Sequence, residues 1–319
     1  MLHLRIIAPT TVSASVRAAL LDEPGATHIS VQDGAAVEPE GDVIEADVTR
    51  EAVDRVLDRL LELDLDHTGG VTLQALDTTL SDRATAAEEA VPGDPDDAVI
   101  WEQVVARTGD ESRLSVSFQA FLTIACLLAA IGAVTNSPVT VVGAMVLGPE
   151  FGPLAAVAVG LVLRRGDLIR RGLLALAVGF PIAVAATALA AAVFAGLGLF
   201  TTADLDAGDQ VDFIYSVGWF SLIVALLAGA AGMLALTSAK SASLVGVFIS
   251  VTTIPAVGTI ALCIACGVWG EASSALAQLG LNLLGLMVAG TTTLLIQRII
   301  WRRVATRSRH RGLTRGRAT

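Results

Sequence analysis

The first 90 residues combine two hydrophobic periods, one typical of strands and one typical of helices. Alternating apolar and polar positions predict strands at residues 2–8, 28–32, 43–48 and 71–76. Spacings of three and four predict a helix over Thr10–Leu21 and a second helix after Thr49, whose hydroxyl is expected to cap it. The order β-α-β-β-α-β predicts an α+β domain of the ferredoxin-like pattern over residues 1–90.

Beyond residue 90 the pattern changes to long apolar runs. Residues 91–113 are predicted to form a linker and an amphipathic helix, starting at residue 98, that lies at a membrane surface. Six later stretches are long enough for a bilayer core, which takes about 20 residues. They lie at 115–135, 139–163, 172–199, 214–236, 242–268 and 276–300. We therefore expect an all-α membrane domain of six spans over residues 114–300 and a basic tail over residues 301–319.

The composition supports this division. Of the 319 residues, 54% are hydrophobic and 16% are charged, against about a quarter charged in an ordinary soluble domain. This excludes a purely soluble protein. Residues 1–112 hold 24 Asp and Glu against 7 Arg, whereas the remainder holds 7 acidic residues against 14 Lys and Arg. The acidic first part argues against binding to nucleic acid or to anionic lipid headgroups, since both need positive charge.

The positive charges of the second part predict its orientation. Four Arg lie in the loop after the second span, Lys240 lies after the fourth, and eight Arg lie between Arg298 and Arg317. The loops after the first, third and fifth spans hold no Lys or Arg. Because cytoplasmic loops carry the excess of positive charge, we expect a multi-pass protein with both termini in the cytoplasm.

Proline and glycine interrupt the second and fifth predicted spans. Proline removes a backbone hydrogen bond that lipid cannot replace, so neighbouring helices or a water-lined cavity must compensate. The two spans occupy equivalent places in oppositely oriented three-helix halves. We therefore expect two inverted repeats, each with a broken helix, as in transporters with a site at the membrane centre. Close packing of small residues is the alternative explanation.

Glu150 is the only ionisable residue between Thr140 and Leu163. A charge at mid-span costs about 3 kcal/mol or more, which favours a role in binding a proton or cation. A neutral glutamic acid in a structural hydrogen bond is the alternative. A half-helix expected to begin after Pro153 would direct its positive end towards the carboxylate. The candidate binding site for a solute or ion comprises Gly148, Pro149, Glu150, Gly152, Pro153, Thr252, Thr253, Pro255 and Gly258.

Two motifs in these spans resemble a known family. They are Val141-Val142-Gly143-Ala144-Met145 with Gly148-Pro149 and Gly152-Pro153, and Gly246-Val247 with Pro255 to Gly258. Together they resemble an uncharacterised prokaryotic family of hydrophobic membrane proteins, domain of unknown function 389. The likeness runs from Glu111 to about residue 290 and adds Asn282 to the candidate site.

The resemblance implies a multi-span protein of a prokaryotic cell membrane, often with a cytoplasmic N-terminal domain, and it supplies no activity. Two positions depart from the family pattern. Ile254 stands where the first of two adjacent prolines is common, and Glu150 stands where an apolar residue is usual.

Two functions from different classes fit these features. The first is a transporter or channel for a small solute or ion, regulated by the cytoplasmic domain. The second is a non-transporting membrane sensor or scaffold whose ferredoxin-like domain binds a ligand or partner. A water-accessible cavity at the interrupted spans would favour transport, and a dry, tightly packed core would favour the scaffold.

Enzymatic activity is not predicted. The sequence holds no H-E-x-x-H or Gly-x-Ser-x-Gly motif, and Cys263 and Cys266 form a C-x-x-C without further metal ligands. His3, His28 and His67 are expected to be surface or structural residues. We expect no cofactor and no metal. The expected partners are the lipid bilayer, a small solute or cation, and further copies of the chain in a homo-oligomer held by small residues and sheet pairing.

Overall fold

The computed structural model describes residues 1–94, 98–200, 219–238 and 245–315. These residues divide into two compact units, one built mainly on Met1–Glu102 and the other on Gln103–Leu236 and Lys240–Ile299. Each unit has its own hydrophobic core.

The first unit is built on a four-stranded antiparallel sheet with the order β2-β3-β1-β4. Its strands are β1 (Leu2–Ala8), β2 (Ala26–Val37), β3 (Glu40–Val48) and β4 (Gly70–Ala75). Helix α1 (Thr10–Leu21) joins β1 to β2, while α2 (Arg50–Glu62) and the short α3 (Leu65–Thr68) join β3 to β4. The predicted order β-α-β-β-α-β is confirmed, and β3 lies between the two strands that α1 connects.

The core of the first unit follows the predicted periods. In β1 the alternating residues Leu2, Leu4 and Ile6 are buried while Arg5 is exposed. The apolar stripes of α1 and α2 complete the core with Val16, Leu20, Val53, Val56 and Leu60. The alternation of β1 and the stripes of both helices therefore bury one continuous apolar face.

The hairpin of β2 and β3 is longer than the sequence predicts. The pair carries register shifts between Thr27 and Ser30 and between Gln32 and Ala36. Gly34, which lies beyond the strand predicted over residues 28–32, lies inside β2 with a φ of +63°. Because glycine adopts this left-handed backbone without a steric penalty, β2 continues beyond its predicted end at residue 32.

Thr49 lies at the start of α2, but the prediction that its hydroxyl caps the helix is wrong. The side chain makes no capping hydrogen bond. Thr49 is buried, and a Cβ added to Gly25 would lie 2.7 Å from its Oγ1. The hydroxyl thus packs against Gly25 instead of bonding to the N–H groups of the first helical turn.

An additional helix, α4 (Asp82–Ala90), precedes the linker. Only Ala84 and Ala87 of this helix are buried, so its apolar pattern is too weak to predict it. Val91 and Ile100, which both lie within the segment predicted as linker and amphipathic helix, belong to the core of the first unit. The amphipathic helix α5 runs over Trp101–Glu111 instead of starting at residue 98.

The second unit is helical. Its helices are α6 (Val116–Val134), α7 (Pro138–Leu147), α8 (Phe151–Leu163), α9 (Gly166–Gly196), α10 (Trp219–Thr237), α11 (Val245–Cys266) and α12 (Trp269–Arg315). Side chains from all seven helices contribute to its core or pack against it, among them Leu122, Leu154, Ile254 and Leu286. The helices thus enclose one apolar interior.

Three of these helices are long and apolar enough to cross a membrane, namely α6, α9 and the Trp269–Ile300 part of α12. The pair α7 and α8 is bent by 50° and raises the count to four if it forms one span. In α10 and α11 the parts with described side chains, Ser221–Thr237 and Thr253–Cys266, are apolar but shorter than the helices that meet the length criterion for a span. The described part of the chain therefore supports three or four spans, and six are not shown.

Candidate functional site

The second predicted span is broken where the sequence indicated. Helix α7 ends at Leu147 and α8 begins at Phe151. Gly148 between them has an extended backbone, with φ −64° and ψ 120°. A residue before proline is driven away from helical geometry, and glycine is a weak helix former, so Gly148-Pro149 ends α7 at little cost.

Glu150 lies at this break and is fully buried, with 0% of its surface exposed. It occupies the position before the first residue of α8, but its side chain does not cap that helix. Instead, the hydroxyl of Thr253 on α11 donates to Glu150 Oε1 at 2.5 Å. The structure therefore brings together Glu150 and Thr253, two of the predicted site residues.

The electrostatic surroundings of Glu150 differ in one respect from the prediction. Helix α8 begins at Phe151, before Pro153 and not after it. Proline is tolerated in the first turn because its missing N–H has no helical acceptor there. The partial positive charge of the α8 N-terminus consequently lies directly after Glu150.

The prediction of a matching break in the fifth span is wrong. Helix α11 is continuous from Val245 to Cys266, with Pro255 inside it. The residue before this proline is Ile254, where the second span has Gly148. Because Ile254 is a better helix former than glycine, α11 loses one hydrogen bond at Pro255 but does not separate into two helices.

Three predicted site residues act in the packing between helices. A Cβ added to Gly152 would lie 2.8 Å from the backbone oxygen of Glu111, and one added to Gly258 would lie 3.0 Å from the backbone nitrogen of Ala130. Pro153 is buried, and a Cβ on Gly172 would lie 2.4 Å from its carbonyl oxygen. These positions let the backbones of neighbouring helices approach closely. This agrees with the alternative explanation, in which the small residues serve close packing.

Asn282 is fully buried on α12 and accepts a hydrogen bond from the Ser221 hydroxyl of α10 at 3.1 Å. The same two helices approach closely at Gly229, where an added Cβ would lie 2.6 Å from the carbonyl oxygen of Leu286. Asn282 thus belongs to a polar contact between α10 and α12.

Sequence reasoning missed Gln278, which is 3% exposed on α12. Its Oε1 has no hydrogen-bond partner among the described residues. Gln278 lies one helical turn before Asn282, and a search for polar residues four positions apart would have found it.

The remaining site residues are Gly148, Pro149, Pro255 and Thr252. Gly148 and Pro149 are half-buried at the break, and Pro255 is buried inside α11. Thr252 belongs to α11, but its side chain lies outside the described part of the structure. A cavity of about 230 Å³ lies elsewhere, between α6 and α9, and none of the predicted site residues lines it.

Comparison with known proteins identifies one family. No curated protein and no solved structure matches the chain. One family model matches a segment of the chain that extends from Met145 on α7 to Val288 on α12. This segment includes Glu150, Thr253 and Asn282. Residues 145–288 match the model of the family described as a domain of unknown function, DUF389, which confirms the resemblance over that segment.

Proposed function

We propose that this protein is an integral membrane transporter or channel for a small solute or ion, with Glu150 and Thr253 as its central polar site. The observation that carries the proposal is the fully buried carboxyl of Glu150 at a helix break inside an apolar helical unit. Ionisable groups within membrane spans are rare because their burial is costly, and they commonly mark ion or proton pathways.

The choice of a carboxyl group supports this proposal over a purely structural contact. An amide side chain would accept the same hydrogen bond from Thr253 without the cost of a titratable group. A carboxyl can also release its proton, and the resulting charge attracts a cation or water into the site. Exchange of a proton for a cation at Glu150 is therefore the chemistry that this site can perform.

In the proposed mechanism the described arrangement is a closed state. Gly152 lies against the backbone of Glu111, and Gly258 lies against α6, so the helices are closely packed at these two positions. Opening requires α7 and α8 to separate from α11. The chain can bend at the break at Gly148-Pro149 with little cost in free energy, so this break would act as the hinge for the separation.

The membrane arrangement of the proposal remains that of six spans with both termini in the cytoplasm. Five of the six predicted stretches hold one helix and the second holds the pair α7 and α8, while α10 and α11 have 19 and 22 residues. These lengths approach or exceed the roughly 20 residues needed for a bilayer core. The acidic N-terminal domain would then lie in the cytoplasm and regulate the membrane part.

A membrane scaffold or sensor is the second candidate function, and the tight packing around Glu150 favours it. Gly152, Pro153, Thr253 and Pro255 are all buried. A scaffold would keep this core dry, and its ferredoxin-like domain would bind the ligand or partner. A homo-oligomer, formed through small residues or the sheet edges, fits either function.

A flux assay with purified protein in liposomes separates the two candidates. The vesicles contain a pH-sensitive dye and are exposed to imposed gradients of H⁺, Na⁺ and K⁺, with protein-free vesicles as the control. We expect protein-dependent movement of a proton or cation across the membrane. If folded protein in the liposomes leaves every gradient unchanged, and a panel of small organic solutes also stays outside, the transport proposal fails and the scaffold is favoured.

A further inference from the structure

A continuous chain of hydrogen bonds joins four polar side chains in the first unit. His3 Nδ1 lies 2.8 Å from Asp47 Oδ1, and His28 Nδ1 lies 2.7 Å from Asp47 Oδ2. His28 Nε2 lies 2.8 Å from Ser81 Oγ. A serine, a histidine and an aspartate are thus connected in the order hydroxyl, imidazole and carboxylate.

The fold places these groups together through strand register. Asp47 of β3 pairs directly with His3 of β1 on one side and with Thr27 of β2 on the other. A register shift follows Thr27, and His28 has a φ of +49°. This is left-handed backbone that is uncommon outside glycine, and such strained positions and bulges cluster at functional sites, where they redirect a side chain.

The direction of each hydrogen bond follows from the chemistry of the groups. Partial burial raises the pKa of Asp47, but the hydrogen bonds from His3 and His28 outweigh it, and the pKa lies below its ordinary value of 3.8. The carboxylate can only accept, so His28 Nδ1 donates to it. In the neutral ring this leaves a lone pair on Nε2, which accepts the hydroxyl hydrogen of Ser81.

The oxygen of Ser81 is held at the N-terminus of α4. It accepts hydrogen bonds from the backbone N–H groups of Arg83 at 3.2 Å and Ala84 at 3.4 Å. Both donors approach the oxygen and leave its own hydrogen directed at His28. These two bonds occupy both lone pairs of the oxygen, so the longer one, from Ala84, must be released when the oxygen attacks a carbonyl carbon.

We propose that Ser81, His28 and Asp47 form a hydrolytic site for small carboxylic esters, with Ser81 as the nucleophile and His28 as the general base. Asp47 is a positioning residue that fixes the ring and its tautomer, and His3 holds the second oxygen of Asp47. The side chain of His28 is 35% exposed and Ser81 is half-buried, so a small ester reaches both from solvent.

The reaction proceeds in two balanced halves. Ser81 Oγ bonds to the carbonyl carbon of the ester while its proton passes to His28 Nε2, and that proton then goes to the alcohol oxygen as the carbon–oxygen bond to the alcohol breaks. Water repeats these steps on the acyl-serine. It gives its proton to His28, attacks the carbonyl carbon and releases the acid as the proton returns to Ser81. The sum is ester plus water giving acid plus alcohol.

This activity is independent of the proposed transport, and no sequence motif predicts it. His28 and Asp47 are 19 positions apart, and His28 and Ser81 are 53 positions apart. A triad of this kind is recognised by geometry and not by sequence spacing.

The test uses the full-length protein in detergent, a fluorophosphonate probe that modifies activated serines, and para-nitrophenyl acetate as the ester. We expect the probe to modify Ser81, as located by peptide mass spectrometry, and the protein to hydrolyse the ester. Ser81→Asp keeps an oxygen that caps α4 but has no nucleophilic hydroxyl, so it should abolish both signals while α4 stays folded. Ser30→Ala removes an exposed serine of β2 outside the network and should leave both signals unchanged.

The rates separate catalysis from a structural role. Asp47→Asn should slow modification of Ser81 at least about 100-fold, since a comparable change in a known triad costs about 10⁴-fold, while the final extent of modification stays the same. His28→Asn, which tolerates left-handed backbone, should slow it similarly. The proposal is overturned if folded protein is not modified at Ser81, or if both variants react at the rate of the unaltered protein.

Discussion

The hydroxyl of Thr253 donates to Glu150 Oε1 at 2.5 Å, between residues 103 positions apart in the sequence. Both side chains are fully buried. The bond fastens the break between α7 and α8 to the middle of α11, two residues before Pro255. The contact therefore joins the break at Gly148-Pro149 to the part of α11 that contains Pro255.

Loss of the Thr253 hydroxyl should destabilise the helical unit. Thr253→Val keeps the shape of the side chain but leaves Glu150 Oε1 without this donor, and an unsatisfied buried group of this kind costs about 1–3 kcal/mol. Thr253→Ser keeps the hydroxyl and serves as the matched control. Thermal unfolding in detergent should therefore show a lower Tm for Thr253→Val than for Thr253→Ser, and equal values would contradict the importance of the bond.

Two glycines of the same motif should respond differently to alanine. A Cβ on Gly152 would lie 2.5 Å from Glu111 Cβ and 2.8 Å from the Glu111 backbone oxygen, whereas nothing lies within 4 Å of a Cβ on Gly143. Gly152→Ala should cost about 1–3 kcal/mol through overpacking. Gly143→Ala, in an exposed part of α7, should be neutral or stabilise by up to about 1 kcal/mol.

Tm values of the two alanine variants in one detergent test this contrast. A stable Gly152→Ala protein would show that α8 does not approach Glu111 as described. The experiment thus tests the packing independently of any transport activity.

Asp54 makes the stability of the first unit depend on pH. Burial and the nearby Glu102 carboxyl raise the pKa of Asp54 from 3.8 to about 7. Because the folded state holds this proton more tightly than the unfolded state, its contribution is complete below the unfolded pKa and is lost as the pH rises towards 7. Asp54→Asn, which stays neutral, should thus be more stable than the unaltered protein at about pH 8 and little different at about pH 4.

The pKa shift of Asp54 corresponds to at most about 4 kcal/mol in the free energy of unfolding. Solvent near the half-buried side chain reduces this contribution. Urea unfolding of both proteins at the two pH values measures the difference. Asp54→Asn less stable than the unaltered protein at about pH 8 would show that Asp54 is ionised and stabilising there.

Membrane topology is tested by labelling single cysteines placed in a chain whose three native cysteines are replaced. A cysteine at Asp206, in a loop without Lys or Arg, should react with an impermeant maleimide from outside intact cells. A cysteine at Arg309 in the basic tail should react only after permeabilisation. The opposite pattern would reverse the orientation assigned from the charges.

The sequence predicted those features that depend on local periodicity. The alternation in β1 and the apolar stripe of α2 were sufficient to predict the first unit, and Gly148-Pro149 was sufficient to predict a broken helix. The break expected at Pro255 does not form because Ile254, the residue before this proline, favours helical geometry, whereas Gly148 precedes Pro149 where α7 ends.

Contacts between distant residues were harder to predict. Thr253 and Glu150 both belong to the predicted site, and only the folded structure shows that their side chains share a hydrogen bond. The chain of His28, Asp47 and Ser81 depends on a register shift in β2 and on the unpredicted helix α4. No local pattern contains that information, so only the folded structure brings these side chains together.

The most direct test of the transport proposal is the pH dependence of flux through Glu150→Gln in liposomes. Glutamine keeps the size of the side chain and accepts the hydrogen bond from Thr253, so the variant should fold and insert like the unaltered protein. It cannot release a proton. We predict that the unaltered protein moves a proton or cation at a rate that changes with pH, and that Glu150→Gln abolishes this pH-dependent flux. Glu150→Gln with an unchanged rate and pH profile would contradict the account and leave Glu150 as a structural hydrogen-bonding residue.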